Sequence, residues 1–326
     1  MMSKSVALAA AAALTIVGLA GPSVAADKAA PAACNRACLE GFMTRYLDAM
    51  FAHDAKRVPV TANFRRTENT IPLKLGDGAW RTMSGRGDYA FTIADPKTGQ
   101  VGTIATLREN GRPVLASIRL RVTGGKISEA EEQILRNEGS ATSEEALKVS
   151  AVWNTALTAG QRVSRERMIY AANQYFSGIV AMDGNIVPFD ERCRRIENGN
   201  ITANNPNRRP TTTGGFNVGP LNCTGNISAK LWTYITDVTH RRHNFVDEER
   251  GVVWSQVIFP HEGGIMSYYQ PGYGTLDMSA AAKRPFDTHI AELFKVESGK
   301  ITQIEAVILS TPYGMDDGGW TKAPAK

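Results

Sequence analysis

Residues 290–309 read Ile-Ala-Glu-Leu-Phe-Lys-Val-Glu-Ser-Gly-Lys-Ile-Thr-Gln-Ile-Glu-Ala-Val-Ile-Leu. Two β-rich runs flank the tight Glu-Ser-Gly-Lys turn, which is a hairpin signal. A near-copy lies at residues 119–135, where Val122-Thr-Gly-Gly-Lys126-Ile127 matches Val296-Glu-Ser-Gly-Lys300-Ile301 at an offset of 174 residues. Working outward, Tyr46, Asp54, Pro59 and Arg65-Arg66-x-Glu68-Asn69 match Tyr175, Asp183, Pro188 and Arg194-Arg195-x-Glu197-Asn198 at an offset of 129. Between these, Asp95-x-x-x-Gly99 matches Asp247-x-x-x-Gly251 at an offset of 152. Three collinear matches predict an internal duplication. The growing offset puts 23 extra residues of the second copy between Asn198 and Trp232, and 22 between Phe259 and Phe286.

Each copy opens on an amphipathic helix. In the first, Leu39, Phe42, Met43, Tyr46, Leu47, Met50 and Phe51 recur at helical spacing, and in the second Met168, Ile169, Ala172, Tyr175, Phe176, Ile179 and Val180 do so. Strand-like runs follow at residues 88–93, 101–107, 113–122 and 127–135, with turns at Asp95–Gly99, Asn110-Gly111 and Gly124-Gly125. A long helix, a short helical piece and a meander of long strands predict an α+β roll, with helices covering one face of a bent antiparallel sheet. The expected organisation is a signal peptide at 1–25, a first roll at 34–137 and a linker with a helix near 144–157 at 138–163. A second roll at 164–313 and a tail at 314–326 complete it. Both faces of the strand at 301–309 are apolar, as expected if the two rolls pack together as a pseudo-dimer.

The chain has 326 residues, of which 21% are charged and 43% hydrophobic, an ordinary globular composition with room for two cores. Lys4, an apolar run from Val6 to Ala20 and Ser23-Val24-Ala25 form a secretory signal, too short and wrongly flanked for a membrane span. The mature chain is therefore expected in the periplasm or secreted, without a membrane anchor. A net charge of +5, which becomes +4 without Lys4, and the lack of a Lys/Arg run argue against nucleic acid as a partner. The four cysteines Cys34, Cys38, Cys193 and Cys223 suggest two disulfides in an exported protein, with three connectivities open. Cys193 with Cys223 would pin the first insertion, and Cys34 with Cys38 would bridge locally. Neither pair has zinc-ligand spacing, so no metal site is expected.

Several pieces resemble a known family: Cys34-x-x-x-Cys38-Leu-Glu-Gly, Leu47-Asp-Ala, Ala52-His-Asp, Gly76-Asp-Gly-Ala-Trp80, Val187-Pro-Phe-Asp190, Val246-Asp-Glu-Glu-Arg-Gly251 and Pro312-Tyr-Gly-Met315. The chain is similar over nearly its whole mature length to secreted fungal and bacterial SnoaL-like proteins of uncharacterised function. These belong to the nuclear transport factor 2-like superfamily, and the Gly299–Glu305 hairpin resembles the last two strands of that fold. The resemblance implies tandem cystatin-like α+β rolls with a conical pocket between helices and sheet. It also implies isomerase, dehydratase, cyclase or epoxide-opening chemistry, usually without a metal, or binding alone. It assigns no catalytic residue.

The duplication offers an internal comparison, because a polar residue in one copy opposite an apolar one in the other marks a candidate site. Glu292 shares a strand face with Ile290, Phe294 and Val296, where the first copy has Ile118. Taking Asp247–Gly251 as a plain hairpin puts Arg242 opposite Ser255 and His240 opposite Val257, on the same face. The expected catalytic set is Glu292 as acid or base, His240 as proton relay and Arg242 as anion holder. Tyr175, Ser255, Tyr268, Tyr269 and His289 are expected to bind substrate, the two adjacent tyrosines from a glycine-flanked lid. The plain alternatives are a Glu292–Arg pair in the sheet, a solvated His240 and Arg242, and Tyr175 as core. His289 is three residues from Glu292 and falls on the opposite strand face. The leading function is a cofactor-independent lyase or isomerase acting on a small organic molecule. A non-catalytic small-molecule binding protein is the alternative, and a structural pseudo-dimer without an open pocket the third; further self-association is compatible with each.

Overall fold

A computed structural model describes residues 1, 34–136, 151–208 and 216–321. The expected signal peptide beyond Met1, the first half of the helix expected near 144–157 and the last five residues lie outside the described residues. In the first roll, α1 (Arg36–Phe51) precedes β1 (Val60–Glu68), β2 (Ile71–Pro72), β3 (Met83–Asp95), β4 (Gln100–Glu109), β5 (Arg112–Thr123) and β6 (Lys126–Leu135). In the second, α2 (Arg165–Ala181) precedes β7 (Phe189–Glu197), β8 (Asn200–Ile201), α3 (Cys223–Ser228), β9 (Thr239–Asp247) and β10 (Val252–His261). A small hairpin, β11 (Ser267–Gln270) and β12 (Gly274–Asp277), intervenes before β13 (Phe286–Glu297) and β14 (Lys300–Thr311). The strand orders are β2-β1-β6-β5-β4-β3 and β8-β7-β14-β13-β10-β9, the same arrangement twice. Each sheet is antiparallel except for one parallel pair, β1 with β6 and β7 with β14. That pair arises because the chain crosses the whole meander before returning to the first strand.

Local chemistry explains the elements. Asn35 and Ser164 cap α1 and α2 by accepting from the Cys38 and Arg167 amides. Ser298 and Gly299 both adopt positive φ, 51° and 78°, as do Gly124 and Gly125 at 57° and 73°. Paired left-handed residues match the twist of a two-residue hairpin, so both final hairpins turn alike. Asn69 and Asn198, also at positive φ, exchange side-chain bonds with the backbone of Ile134 and Ile308: 3.1 Å to the carbonyl and 2.7 Å from the amide in each roll. Between Ala151 and Leu157 the chain makes a single 3₁₀ turn, Ala151–Trp153, which drives Trp153 into the core.

Each helix covers one face of its own sheet, and the other faces of the two sheets pack on each other. This shared layer holds Phe91, Ile104, Leu115, Trp153, Phe245, Trp254, Leu293 and Val307. Gly102 is required there, because a Cβ would come within 2.6 Å of the Trp254 ring. The contact is reciprocal: Arg36 at the start of α1 binds Asp247 at 2.7 and 2.8 Å, and Arg165 at the start of α2 binds Asp95 at 2.7 and 3.0 Å. Such an exchange is the signature of a two-fold interface. Residues 314–321 fold back onto the first roll, with the Trp320 ring 3.9 Å from the Arg65 guanidinium and 5.0 Å from that of Arg119.

Cys34 is bonded to Cys38 and Cys193 to Cys223. The second bridge spans 30 residues and ties α3 to β7. Replacing both its cysteines by serine is expected to cost roughly 3–4 kcal/mol, from the entropy the cross-link removes from the unfolded chain. Denaturant titration beside the wild type checks this, and a loss below about 1 kcal/mol would show that the insertion is held by its other contacts.

Candidate functional site

Cross-strand register places one row of side chains under α2. Ala306 of β14 pairs with Glu292 of β13, Glu292 with Ser255 of β10, and Ser255 with His243 of β9. Glu292 lies 2% exposed among Tyr175, Ile290 and Phe294. It lines a cavity of about 140 Å³ together with Tyr175, Arg195, Trp232, Tyr234 and His261. Glu197, Trp232 and Tyr234 also line an outer chamber of about 670 Å³, whose far walls include Thr202, Arg208, Asp277, Met278 and Lys283. Those far walls come from the two segments that the second roll has and the first lacks. The combined space is of the size that takes a small organic ligand.

Burial raises the Glu292 carboxyl to about 8, with Arg195 and a hydrogen bond from Tyr175 pulling the other way. Its Oε2 has no hydrogen-bond partner among the described residues. The Arg195 guanidinium, sunk beneath the aromatic rings of Tyr175 and Trp232, donates to Asn226 Oδ1 and to Glu197, and its Nε is unpartnered. His261 stacks on Phe286 at 4.1 Å, and burial lowers its ring to about 4. Its Nδ1 is likewise without a partner. His243 binds Ser255 Oγ through Nδ1 at 2.8 Å and is lowered to about 4 by burial and by Arg241. At neutral pH the site therefore presents a protonated carboxyl and neutral imidazoles.

The first roll holds the sister arrangement in closed form. Its carboxylate is Glu132, on β6, and the register partner of Glu132 is Ile118. In the second roll the same pair of positions reads Ala306 and Glu292, so the carboxyl has moved one strand along the sheet. Glu132 accepts from Tyr46 at 2.5 Å, from Arg66 at 2.6 and 3.2 Å, and from the Trp80 indole at 3.3 Å. Trp80 is fully buried edge-on against Tyr46. Arg66 and Arg195 occupy the same register position, opposite Ala130 and Ile304. One arginine neutralises its carboxylate, and the other is turned to an asparagine.

Several expected site residues lie elsewhere. The β9–β10 pairing is not a plain hairpin: Trp254 pairs with Phe245 but Ser255 with His243, so Asn244 is an extra residue. This bulge reverses the side-chain faces beyond it. Arg242 therefore pairs with Gln256 and reaches the first roll, where it binds Glu131 at 3.0 Å. A second irregularity, with His240 at φ 51°, leaves that ring half-buried, 3.7 Å from Asp316. His289 lies with both on the inter-sheet side, in a cleft of only about 10 Å³. Ser255 lies beneath the cavity floor, bonded to His243, and does not line it. Tyr268 is buried in a separate cluster with Phe216 and Met278, and Tyr269 is 65% exposed. Of the expected set, the cavity brings together Glu292 and Tyr175. His261, Arg195, Trp232, Tyr234 and Asn226 were not anticipated. Arg195 and Trp232 could have been read from their partners Arg66 and Trp80, and His261 stands where the first roll has Glu109 at the end of β4, whereas Asn226 sits in a segment without a counterpart.

Among the described residues no group of three or more His, Cys, Asp or Glu could hold a metal ion, and no helix is long and apolar enough to cross a membrane. A family profile described as a domain of unknown function, DUF8021, matches residues 161–308. No curated protein matches the chain. Similar solved structures include a nuclear transport factor 2-like protein of unknown function from Cytophaga hutchinsonii, 12% identical, with 29% of this chain and 88% of that one covered at a TM-score of 0.25. A candidate polyketide cyclase from a Silicibacter species is 11% identical over 30% of this chain and 89% of its own, at a TM-score of 0.24. A candidate ketosteroid isomerase from Kribbella flavida is 10% identical over 34% and 88%, at 0.25.

Proposed function

We propose that the second roll binds a small organic molecule in the Glu292 cavity and acts on it by acid–base chemistry, as a lyase or isomerase that needs no cofactor. One observation carries this reading. Glu292 Oε2, His261 Nδ1 and Arg195 Nε are buried without partners, and all three residues line the same cavity. An unmet buried polar atom costs about 1–3 kcal/mol, so three around one space make sense as ligand contacts.

The chemistry follows from the protonation states. Glu292 donates its proton to a carbonyl or hydroxyl oxygen of the ligand, and the carboxylate so formed removes a proton from a neighbouring carbon, while neutral His261, six residues further along the sheet, meets a more distant polar group of the ligand. In an isomerisation that proton returns to a different carbon. In a dehydration the C–O bond breaks, and the Glu292 proton leaves with the hydroxyl as water. Tyr175 and Arg195 hold the oxygen on which negative charge develops. Trp232 and Tyr234 pack the ligand body, which extends into the outer chamber. The two disulfides support an oxidising compartment, and the twice-used strand order supports descent by duplication, with the first roll as structural partner.

Ile308 lines the cavity, and Ile308→Trp fills it without touching the polar groups. In a thermal-shift screen of hydroxy- and keto-bearing compounds, a ligand of the wild type is expected to bind this variant at least about tenfold more weakly, a loss of about 1.4 kcal/mol. Equal binding to both proteins would place the ligand elsewhere and end the proposal.

A further inference from the structure

The two rolls use the same arginine differently, and two features separate them: in the second roll the carboxyl sits one strand further along the sheet, and the arginine meets an asparagine from an inserted segment. Arg66 and Arg195 share a register position, yet Arg66 grips Glu132 while Arg195 leaves Glu292 Oε2 unpartnered. Arg195 gives Nη2 to Glu197, as Arg66 gives Nη2 to Glu68, and gives Nη1 to Asn226 Oδ1, on α3, in the segment that only the second roll has. Asn226 is wholly buried, and its Nδ2 donates to the carbonyls of Thr202 and Val218 at 2.9 Å each. Both amide atoms are thus fixed, and the oxygen can only face the guanidinium. The Cys193–Cys223 bridge anchors α3 at its first residue, three positions before Asn226.

We propose that Asn226 is a positioning residue that holds the Arg195 guanidinium away from Glu292 and so keeps that carboxyl out of an ion pair. This rests on the reading of Glu292 as the proton donor of the site. In the first roll the corresponding Nη1 is held by the Lys74 and Asp77 carbonyls while Nε and Nη2 reach Glu132, whereas Arg195 Nε has no partner among the described residues. The groups around Glu292 are Tyr175 from α2, Arg195 and Glu197 from β7, Ser255 of β10 backed by His243 of β9, and Tyr234, with His261 six residues further along β10 at the far end of the cavity. Only Arg195 among them carries a permanent positive charge, so where it points sets how far it offsets the effect of burial on the carboxyl.

The test is titration of Glu292 by carbon NMR in side-chain-labelled protein without ligand, the signal assigned by its loss in Glu292→Gln. Two variants separate the acceptor role of Asn226 from its structural bonds. Asn226→Ser keeps a donor for the neighbouring carbonyls but is too short to reach Arg195. Its Glu292 midpoint is expected to fall by about one pH unit or more, a tenfold loss of protonated carboxyl. Asn226→Asp keeps the acceptor and loses the donor, and its midpoint is expected to stay at or above that of the wild type. An unchanged midpoint in the serine variant, or a fall in the aspartate variant, overturns the proposal, and either protein alone suffices if the other does not fold. Because no ligand is present, this result stands apart from the ligand screen, and each can fail without the other.

Discussion

Glu292→Gln is expected to lower turnover by about 10²- to 10⁴-fold, the usual contribution of a positioned general acid, while making the protein more stable above neutral pH. The second half of this result distinguishes a functional carboxyl from a structural one. Burial raises Glu292 from 4.5 to about 8, so across that window the folded protein holds a proton that the unfolded chain has released. Wild-type stability therefore falls as pH rises from about 4.5 to about 8, by about 1.4 kcal/mol per pH unit. Glutamine carries no such proton and fills the same volume. The variant should lose that slope and exceed the wild type by on the order of 4 kcal/mol at pH 8. Thermal melts from pH 5 to pH 9 read the slope directly. If wild type and variant melt in parallel, Glu292 is not the group that holds the proton. In activity, the alkaline limb near pH 8 should vanish in the variant together with the rate.

The same substitution in the first roll is expected to do the opposite. Glu132→Gln removes the charge that neutralises Arg66, a guanidinium buried with Glu132 at 2.6 Å and Glu68 at 3.0 Å. Breaking a buried pair by removing one partner costs roughly 3–5 kcal/mol, and the remaining Glu68 places this case near the lower figure. Binding in the second roll should be unaffected, because Glu132 lies in the other sheet. Denaturant titration together with ligand affinity in the folded fraction checks both halves. A stable Glu132→Gln with weakened binding would mean that the first roll takes part in the site. Two chemically identical changes at equivalent depths thus act on different properties, because one carboxyl is paired and the other is not.

By itself the sequence determined the repeat and the architecture that a repeat entails. Local signals repeated twice at collinear offsets predict two rolls, because each roll is built from contacts that its own segment supplies: helix periodicity around Tyr46 and Tyr175, strand alternation, and paired left-handed residues at Gly124-Gly125 and Ser298-Gly299. The apolar alternation of residues 301–309 also foretold the sheet-to-sheet contact, since Ile304 and Ala306 face α2 while Val307 faces the other roll. Glu292 was legible for the same reason, being a carboxyl at an even spacing from apolar neighbours on a regular strand.

Only the tertiary structure decided the partners. Arg242 and His240 left the expected face because one extra residue at Asn244 reverses a strand's two sides, and a bulge leaves no mark in the alternation of so polar a run. Glu132 was hidden because the internal comparison matched position to position, whereas the carboxyl sits at Ile118's neighbour across the sheet, and adjacency between strands is not written along the chain. Asn226 lies in an inserted segment with no sister residue to compare, and His261 stands where the first roll has another polar residue, Glu109, so the comparison did not single it out. Their roles depend on where a disulfide and a sheet edge carry them, which is set by packing between segments far apart in sequence.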